Sequence, residues 1–525
     1  MENKRILLAA EYSLLEPLAL YHLASVAEQE GWEVKIVLSK GPEYLELGDA
    51  LKDFSPSFLG FTLYTGNHIR VGKYLKKIKP EYPDLKIILG GPHPTYFPQE
   101  CLEFSEFAVV GEGFDSLRRI LWGEVSEGIV HLKKQEPFPP TNREVFYKDS
   151  VVHKDNPIKN VVTNTGCPFR CAHCYNSNSI DDVKGLSLEK IEEMKKALCS
   201  DRVFPLSQRS VDEVIEEINH LQEIAPKTRF IFFEDDIFGR DIDWLEEFVE
   251  KYDVKFPFHA NMRFEFINPK NPDGRRRVEL LKKAGCTGLS LGIESGNQII
   301  CREVLNRLTS QENIFDSMNY LKELGFKVRT YQMLGLPCGA TETLTGVNLE
   351  IDLETLRLNV KLKEMTGLPT FSWASTLSPY PGTKISNYCL KHGFFSGDFD
   401  KIAGEETYRI KSVLRHPKKW VGPSLSSESD DWLPDEEQEK YREQLNLLMS
   451  YFPIFAAIPS GHEFARKFLE QDDTSPERLI RDAGGVVQIP LWDEFVRGFL
   501  GQEDRSPAGL NKAVRNHIYD EILFR

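Results

Sequence analysis

Residues 162–175 read VTNTGCPFRCAHCY and place three cysteines, Cys167, Cys171 and Cys174, in C-x3-C-x2-C spacing. Thiolates this close can fold around one metal centre, and cysteine is the usual ligand of iron–sulfur clusters. A cubane of four irons normally takes four cysteines. Three leave one iron open, and an open coordination position separates a reactive metal centre from a structural one. Zinc is the rival reading and wants a fourth ligand. His173 lies between two of the cysteines, and no second cysteine or histidine pair follows at zinc-ribbon spacing.

Working outward, the loop follows a candidate strand at Asn160–Asn164. Five more apolar runs come after it: Arg229–Glu234, Phe256–Asn261, Gly288–Ile293, Val328–Leu334 and Phe371–Leu377. Upstream, strands are expected at Arg5–Ala9, Val34–Leu38, Phe58–Leu63, Lys86–Leu89 and Phe107–Val110, with helices at Pro17–Gln29 and Ile69–Ile78. Strand–helix alternation of this kind predicts parallel sheets covered by helices. Ligands then sit beyond the carboxyl ends of the strands. Open, glycine-bearing loops stand at three such ends: Thr65-Gly66-Asn67, Gly90-Gly91-Pro92-His93 and Gly111-Glu112-Gly113.

The 525 residues allow two to four domains. The boundaries read as 1–125, a Pro- and charge-rich linker at 126–158, 159–385, and a helical, aromatic-bearing tail at 386–525. A net charge of −15 argues against a nucleic-acid partner. No apolar run is long enough to span a membrane, and the start lacks a signal-peptide pattern, so a cytoplasmic protein is expected. Nine cysteines in such a chain favour metal or redox chemistry over disulfides. The remaining six are scattered (Cys101, Cys199, Cys286, Cys301, Cys338, Cys389), so one cluster is expected.

The cysteine spacing resembles the radical SAM signature. The strings at the ends of the next five strands also resemble that family: FFEDDIF (232–238), HANMRF (259–264), GIESG (292–296), MLGLPCG (333–339) and LSPYPGT (377–383). The strings EPLALYHLASVAEQEGWEV (16–34), GFTLYTGN (60–67), LGGPHPT (89–95) and VVGEGF (109–114) resemble the cobalamin-binding domain that precedes many radical SAM domains. Over about 1–385 the chain is similar to cobalamin-binding-domain radical SAM enzymes, class B-like and of methyltransferase type.

The resemblance implies an α/β protein. Its parts would be an N-terminal flavodoxin-like (Rossmann-type) cobalamin-binding domain, a central partial (β/α)6 TIM-like radical SAM barrel and a C-terminal mainly helical domain, a candidate for binding substrate. It implies a 4Fe-4S cluster on Cys167, Cys171 and Cys174. S-adenosyl-L-methionine would be held by Tyr175, Glu234, Asp236, Arg263, Glu294, Ser295, Gly335 and Pro337. Cobalamin would be held by Thr65, Gly66, Asn67, Gly90, Gly91, His93, Gly111, Glu112 and Gly113. Arg263 is expected either on the SAM carboxylate or in an ion pair with the acids at 234–236.

The implied activity is anaerobic C-methylation at an unactivated carbon, through a 5′-deoxyadenosyl radical and methylcobalamin. A cyclase, ring-rearranging or oxidising enzyme, and a non-catalytic cobalamin or iron–sulfur sensor, are the alternatives. An electron donor of flavodoxin or ferredoxin type is implied, with a small-molecule or peptide/protein substrate, and no catalytic side chain is assigned. The chain lacks the Asp-x-His-x-x-Gly by which cobalamin domains of the mutase and methionine-synthase kind give cobalt a histidine; many radical SAM relatives lack it too, so cobalamin without a histidine lower ligand from that motif is expected. The chain departs from the family in three further places. It carries His173 where an aromatic is common. Its turn at Cys338-Gly339-Ala340-Thr341 is altered, with Cys338 given no catalytic role. It also inserts a helical segment at Ser187–Leu198, which would cover a substrate or decorate the surface.

Overall fold

The computed structural model describes residues 3–253, 256–337, 349–399, 402, 412–417, 432–489 and 492–518. The expectation for Cys338 lies outside these residues. Six parallel strands build the first sheet: β1 (Arg5–Glu11), β2 (Glu33–Ser39), β3 (Phe58–Thr62), β4 (Lys86–Gly90), β5 (Phe107–Val110) and β6 (Gly128–His131). Their order is β2-β1-β3-β4-β5-β6. Successive side chains leave a strand on opposite faces. Ile6 and Leu8 therefore enter one apolar core while Leu7 and Ala9 enter another, and helices cover both. The order reverses between β1 and β3, which opens a crevice at their carboxyl ends.

β6 lies inside the expected linker. It pairs with β5 from Phe107↔Gly128 to Val110↔His131. It is a four-residue edge strand whose first two residues are only half-buried, too short to show a period in sequence.

The second sheet contains β7 (Ile158–Val161), β10 (Phe230–Phe233), β11 (Phe258–Met262), β12 (Cys286–Glu294), β13 (Lys327–Leu334) and β14 (Phe371–Thr376). The order β14-β13-β12-β11-β10-β7 is again parallel and leaves β7 and β14 as edges, so the barrel is open. The run expected as one strand at Asn160–Asn164 divides. Its second part, β8 (Asn164–Thr165), turns away to pair antiparallel with β9 (Ser207–Gln208). The cysteine loop hangs from this ribbon. The inserted helix, Leu188–Leu198, starts where the Ser187 hydroxyl accepts the Lys190 N–H. Five helices make up the described C-terminal part. The longest, Asp435–Phe455, lies along the β14 edge, with Leu445, Leu448 and Phe452 in one core with Leu334, Phe371 and Ala374.

A buried charge cluster clasps the two sheets. Arg143 bonds to Glu16, which follows β1, and donates to Glu217 at 2.5 Å and to the Asn160 carbonyl of β7 at 2.7 Å. Arg209 donates to the second oxygen of Glu217 at 2.5 Å, and Lys159 approaches Glu16 at 3.5 Å. Burial alone would raise the Glu217 pKa. Arg143 and Arg209 outweigh it and hold the carboxyl down to about 2.

Candidate functional site

The cysteines sit at the carboxyl ends of the barrel strands, where chemistry is expected in such folds. Cys171 is buried, and Cys167 and Cys174 are half-buried. Burial pushes the Cys174 thiol up to about 12, so a thiolate there needs a cation or metal. Two guanidiniums supply positive charge. Arg263 Nη1 donates to Cys171 Sγ at 2.9 Å, and Arg307 Nη1 reaches the same sulfur at 3.7 Å. The donor set fits an iron–sulfur cluster.

Sequence reasoning missed Arg307 and Arg202. Arg307 also donates to the Gly292 carbonyl at 2.6 Å and approaches Glu294 at 3.4 Å. Arg202 donates to the carbonyls of Cys167, Pro168 and Phe169 and so ties down the cysteine loop. It follows the inserted helix, whose Ile191, Met194 and Leu198 pack with Tyr96 and Val110 of the first domain. The insertion therefore braces the loop. Neither arginine had a local sequence signal, since each acts on residues distant in the chain.

Strand alternation sorts the three acids after β10. Asp235 is fully buried and accepts from the Thr163 N–H at 2.9 Å, the Thr163 hydroxyl at 2.7 Å and the Asn164 N–H at 2.5 Å. It anchors the base of the loop. Asp236 is exposed beside the cysteines and accepts from Asn176 at 2.5 Å. Glu234 turns toward the barrel lumen and accepts from Asn160. Glu294 ends β12 with φ +66°, a strained conformation for a non-glycine residue, and faces Arg307. Ser295 is buried, its hydroxyl accepting the Asn297 N–H at 3.2 Å. Arg263 pairs with Glu265 at 2.7 Å and lies 3.6 Å over the Phe169 ring. Its ion pair is thus with Glu265, a partner not anticipated. Gly335 donates its N–H to Asp352 at 2.8 Å, and Pro337 is buried next to that turn.

Tyr175 joins the two domains. Its ring stacks on Tyr96 at 4.8 Å, and its hydroxyl donates to the Pro381 carbonyl at 3.0 Å and lies 3.3 Å from the Thr65 hydroxyl. Thr65 in turn bonds His93 Nδ1 at 3.0 Å. His93 is only 1% exposed, stacked against His68, so it supports the Thr65 loop from beneath. The Asn67 side chain accepts the Tyr64 N–H at 2.9 Å and closes the same loop. A side chain on Gly66 or Gly90 would project into open space, whereas one on Gly91 would meet the Leu63 carbonyl at 2.9 Å. Gly111 and Gly113 pack near Val203 and Leu23, and between them burial raises Glu112 to about 7.

The carboxyl ends of β1 and β3 carry exposed apolar side chains: Leu14 at 61%, Leu15 at 59% and Tyr64 at 55%. An apolar lip beside glycine loops, at the strand-order reversal, fits a large flat group such as a corrin ring. Leu14 and Leu15 also face the barrel lumen, where they line one cavity with Asn160, Glu234, Asn261 and Tyr331.

The B12 binding domain matches residues 4–121, and the Radical SAM superfamily matches residues 161–338. The cytidylyl-2-hydroxyethylphosphonate methyltransferase of Streptomyces wedmorensis is 22% identical over 467 residues, 78% of this chain and 84% of that protein. The radical S-adenosylmethionine methyltransferase TsrM from Kitasatospora setae, solved with tryptophan substrate and a SAM analog, superposes with TM-score 0.52. It shares 17% identity over 74% of this chain and 77% of that one. TsrM with cobalamin and a 4Fe-4S cluster bound gives a TM-score of 0.51 at 16% identity, over 75% and 76% of the two chains. At these identities the likeness to TsrM is one of fold. Taken with the cysteine loop and the glycine-lined crevice, the two matched families place this chain among the radical SAM proteins that carry an N-terminal B12-binding domain.

Proposed function

We propose that the chain is a cobalamin-dependent radical SAM methyltransferase that methylates carbon. The observation that carries this reading is the shared chamber between the domains, with Leu14 and Leu15 of the B12-binding domain and the inward residues of the radical SAM barrel on its walls. When bound, the cluster and S-adenosylmethionine supply a carbon radical, and the corrinoid supplies the methyl group. Cys167, Cys171 and Cys174 hold the cluster, and Arg263 and Arg307 balance its thiolate charge. Asp236, beside the cysteines, takes the SAM ammonium, and Glu294 takes the ribose diol by accepting its hydroxyl protons. Thr65, Gly66, Gly90 and Gly91 let the corrin lie against backbone. Leu14, Leu15 and Tyr64 keep water off it. An outside electron donor completes the requirement.

The test is anaerobic purification and reconstitution with iron, sulfide and hydroxocobalamin, followed by iron and corrinoid analysis. About four irons and one tightly held corrinoid per chain are expected. With a methyl acceptor, S-adenosylhomocysteine and 5′-deoxyadenosine should form together. Iron without corrinoid would sink the methylation reading, and 5′-deoxyadenosine without S-adenosylhomocysteine would favour a rearrangement or oxidation.

A further inference from the structure

The turn Gly335-Leu336-Pro337 leaves β13 at its carboxyl end, and two helices from further along the chain hold it. Asp352, on the helix Leu349–Thr366, is buried and accepts the Gly335 N–H at 2.8 Å on one oxygen. Its other oxygen accepts the Tyr441 hydroxyl at 2.8 Å, from the helix Asp435–Phe455. Leu445 is four residues beyond Tyr441 and so lies on the same helix face. Gly335 has φ +65°, and a Cβ there would meet Leu445 Cδ2 at 2.6 Å. Glycine is needed here both for the left-handed backbone and for the close approach of the helix. Burial raises the Asp352 carboxyl to about 7, and the Gly335 and Tyr441 donors hold it from rising further.

The next residue joins this turn to the cysteine loop. Leu336 shares one apolar core with Ala172, which lies between Cys171 and Cys174. The C-terminal part enters the same core with Leu414 and Trp432. Leu414 belongs to the segment 412–417, which Gln438 clips to the long helix. Gln438 accepts the His416 N–H at 2.9 Å and donates to the His416 carbonyl at 2.8 Å. The His416 ring then lies against Tyr441, ring centres 4.2 Å apart. A chain of contacts thus links the C-terminal helix to the cluster loop: Tyr441 to Asp352, Asp352 to Gly335, and Leu336 into the core with Ala172.

We propose that Asp352 and Tyr441 are positioning residues for S-adenosylmethionine: together they fix the Gly335–Pro337 turn against the cofactor, so that the C-terminal helix completes the cofactor site as well as covering the β14 edge. The inference rests on the reading of the chain as a radical SAM enzyme with Gly335 and Pro337 holding the cofactor, and it adds the residues that keep those two in place. A hydrogen bond to a carboxylate is shorter and stronger than one between neutral groups, so Asp352 pins the Gly335 amide firmly. A turn held in its bound conformation before the ligand arrives gives up less entropy on binding. Removing the Tyr441 hydroxyl leaves the buried carboxylate with one donor fewer, a loss that the desolvated group feels in full, and the turn loosens.

The experiment is anaerobic calorimetry at pH 8 on the full-length protein loaded with cluster and corrinoid. S-adenosylmethionine is the probe, and the cluster is kept oxidised so that the probe is not consumed. Tyr441→Phe should weaken its binding roughly three- to thirtyfold, the size of effect that a supporting residue has on a site it does not touch. Asp352→Ala should weaken it at least as much. Asp352→Asn should recover most of that loss, because its amide oxygen still accepts the Gly335 N–H and its amide nitrogen can donate to Tyr441. Tyr451→Phe is the control. It lies on the same helix, about 15 Å further along, and removes a hydroxyl that donates to the Thr474 carbonyl at 2.8 Å. It should lower the urea midpoint and leave the affinity unchanged, a split that a purely structural role of Tyr441 would not produce. Unchanged affinity in Tyr441→Phe overturns the proposal, and so does equal weakening by Tyr451→Phe. Where Asp352→Ala fails to fold, the two tyrosine variants decide. Iron is assayed in every sample. A cluster-loaded parent that does not bind S-adenosylmethionine counts against the proposed function and takes this inference with it. A parent that binds, beside a cluster-loaded Tyr441→Phe that binds equally well, refutes this inference alone.

Discussion

Replacing Arg143 with methionine removes the centre of the clasp between the two sheets while keeping most of the side-chain volume. The guanidinium is bonded to Glu16, Glu217 and the Asn160 carbonyl, all buried. Its loss leaves the Glu16 carboxylate with Lys159 at 3.5 Å, the Tyr147 hydroxyl and the Asn160 N–H at 3.4 Å, and leaves Glu217 with Arg209. Breaking a buried pair from one side costs about 3–5 kcal/mol, because the remaining carboxylates stay desolvated after losing their shared counter-charge. The Glu217 titration sets the scale of the cluster. Glu217 is held at about 2 against an ordinary 4.5, and at ~1.4 kcal/mol per pKa unit its two arginines together outweigh its burial by on the order of 3 kcal/mol, of which Arg143 supplies a part. Because the folded pKa is depressed, this stability is present above about pH 4.5 and is lost as pH falls toward 2.

The assay is urea unfolding followed by circular dichroism at pH 7 and at stepped lower pH, with limited proteolysis to report domain separation. Arg143→Met should lower stability by about 3–5 kcal/mol, expose residues 126–158 to protease and flatten the acid limb of the pH profile. Adding Glu16→Gln should recover part of the loss. A single variant within about 1 kcal/mol of the parent, the range of an exposed pair, would refute the reasoning.

Three further outcomes follow from the site. Cys171→Ala should leave the fold intact but reduce reconstituted iron to background by iron analysis; retention of the full complement would remove the loop as the cluster site. Tyr175→Phe keeps the stack on Tyr96 and loses the hydroxyl contacts to Pro381 and Thr65. It should cost about 1–3 kcal/mol of stability at about 0.5–1.5 kcal/mol per hydrogen bond, read by urea midpoint, with iron content unchanged. Gly91→Ala places a Cβ 2.9 Å from the Leu63 carbonyl at φ +99°. It should cost about 1–2 kcal/mol and weaken corrinoid retention in gel filtration; undiminished retention would take the loop out of the corrin site.

Much of both sheets was legible because their strands are near-continuous apolar runs, buried on both faces, between glycine and proline punctuation. Phe107–Val110 is fully buried and reads as a strand, whereas its neighbour Gly128–His131 is half-exposed over its first two residues and was absorbed into a linker. The split of Asn160–Asn164 into β7 and β8 also escaped the sequence. Its cause is Asp235, which captures the Thr163 and Asn164 N–H groups from the next strand and turns the chain out of the sheet.

The chemistry on offer is set by residue type and spacing. Three thiols within eight residues, acids after an apolar strand and glycines after parallel strands are local facts, legible without any fold. Which of those groups face each other is settled only when the chain folds. Asp236 beside the cysteines and Glu234 in the lumen are two residues apart, and their separate roles come from the neighbours each meets. Arg202 and Arg307 carry no motif. They matter because folding brings each guanidinium to carbonyls or a sulfur far away in the chain. Charge acts through space over a few ångströms, so it depends on a proximity that sequence order does not encode.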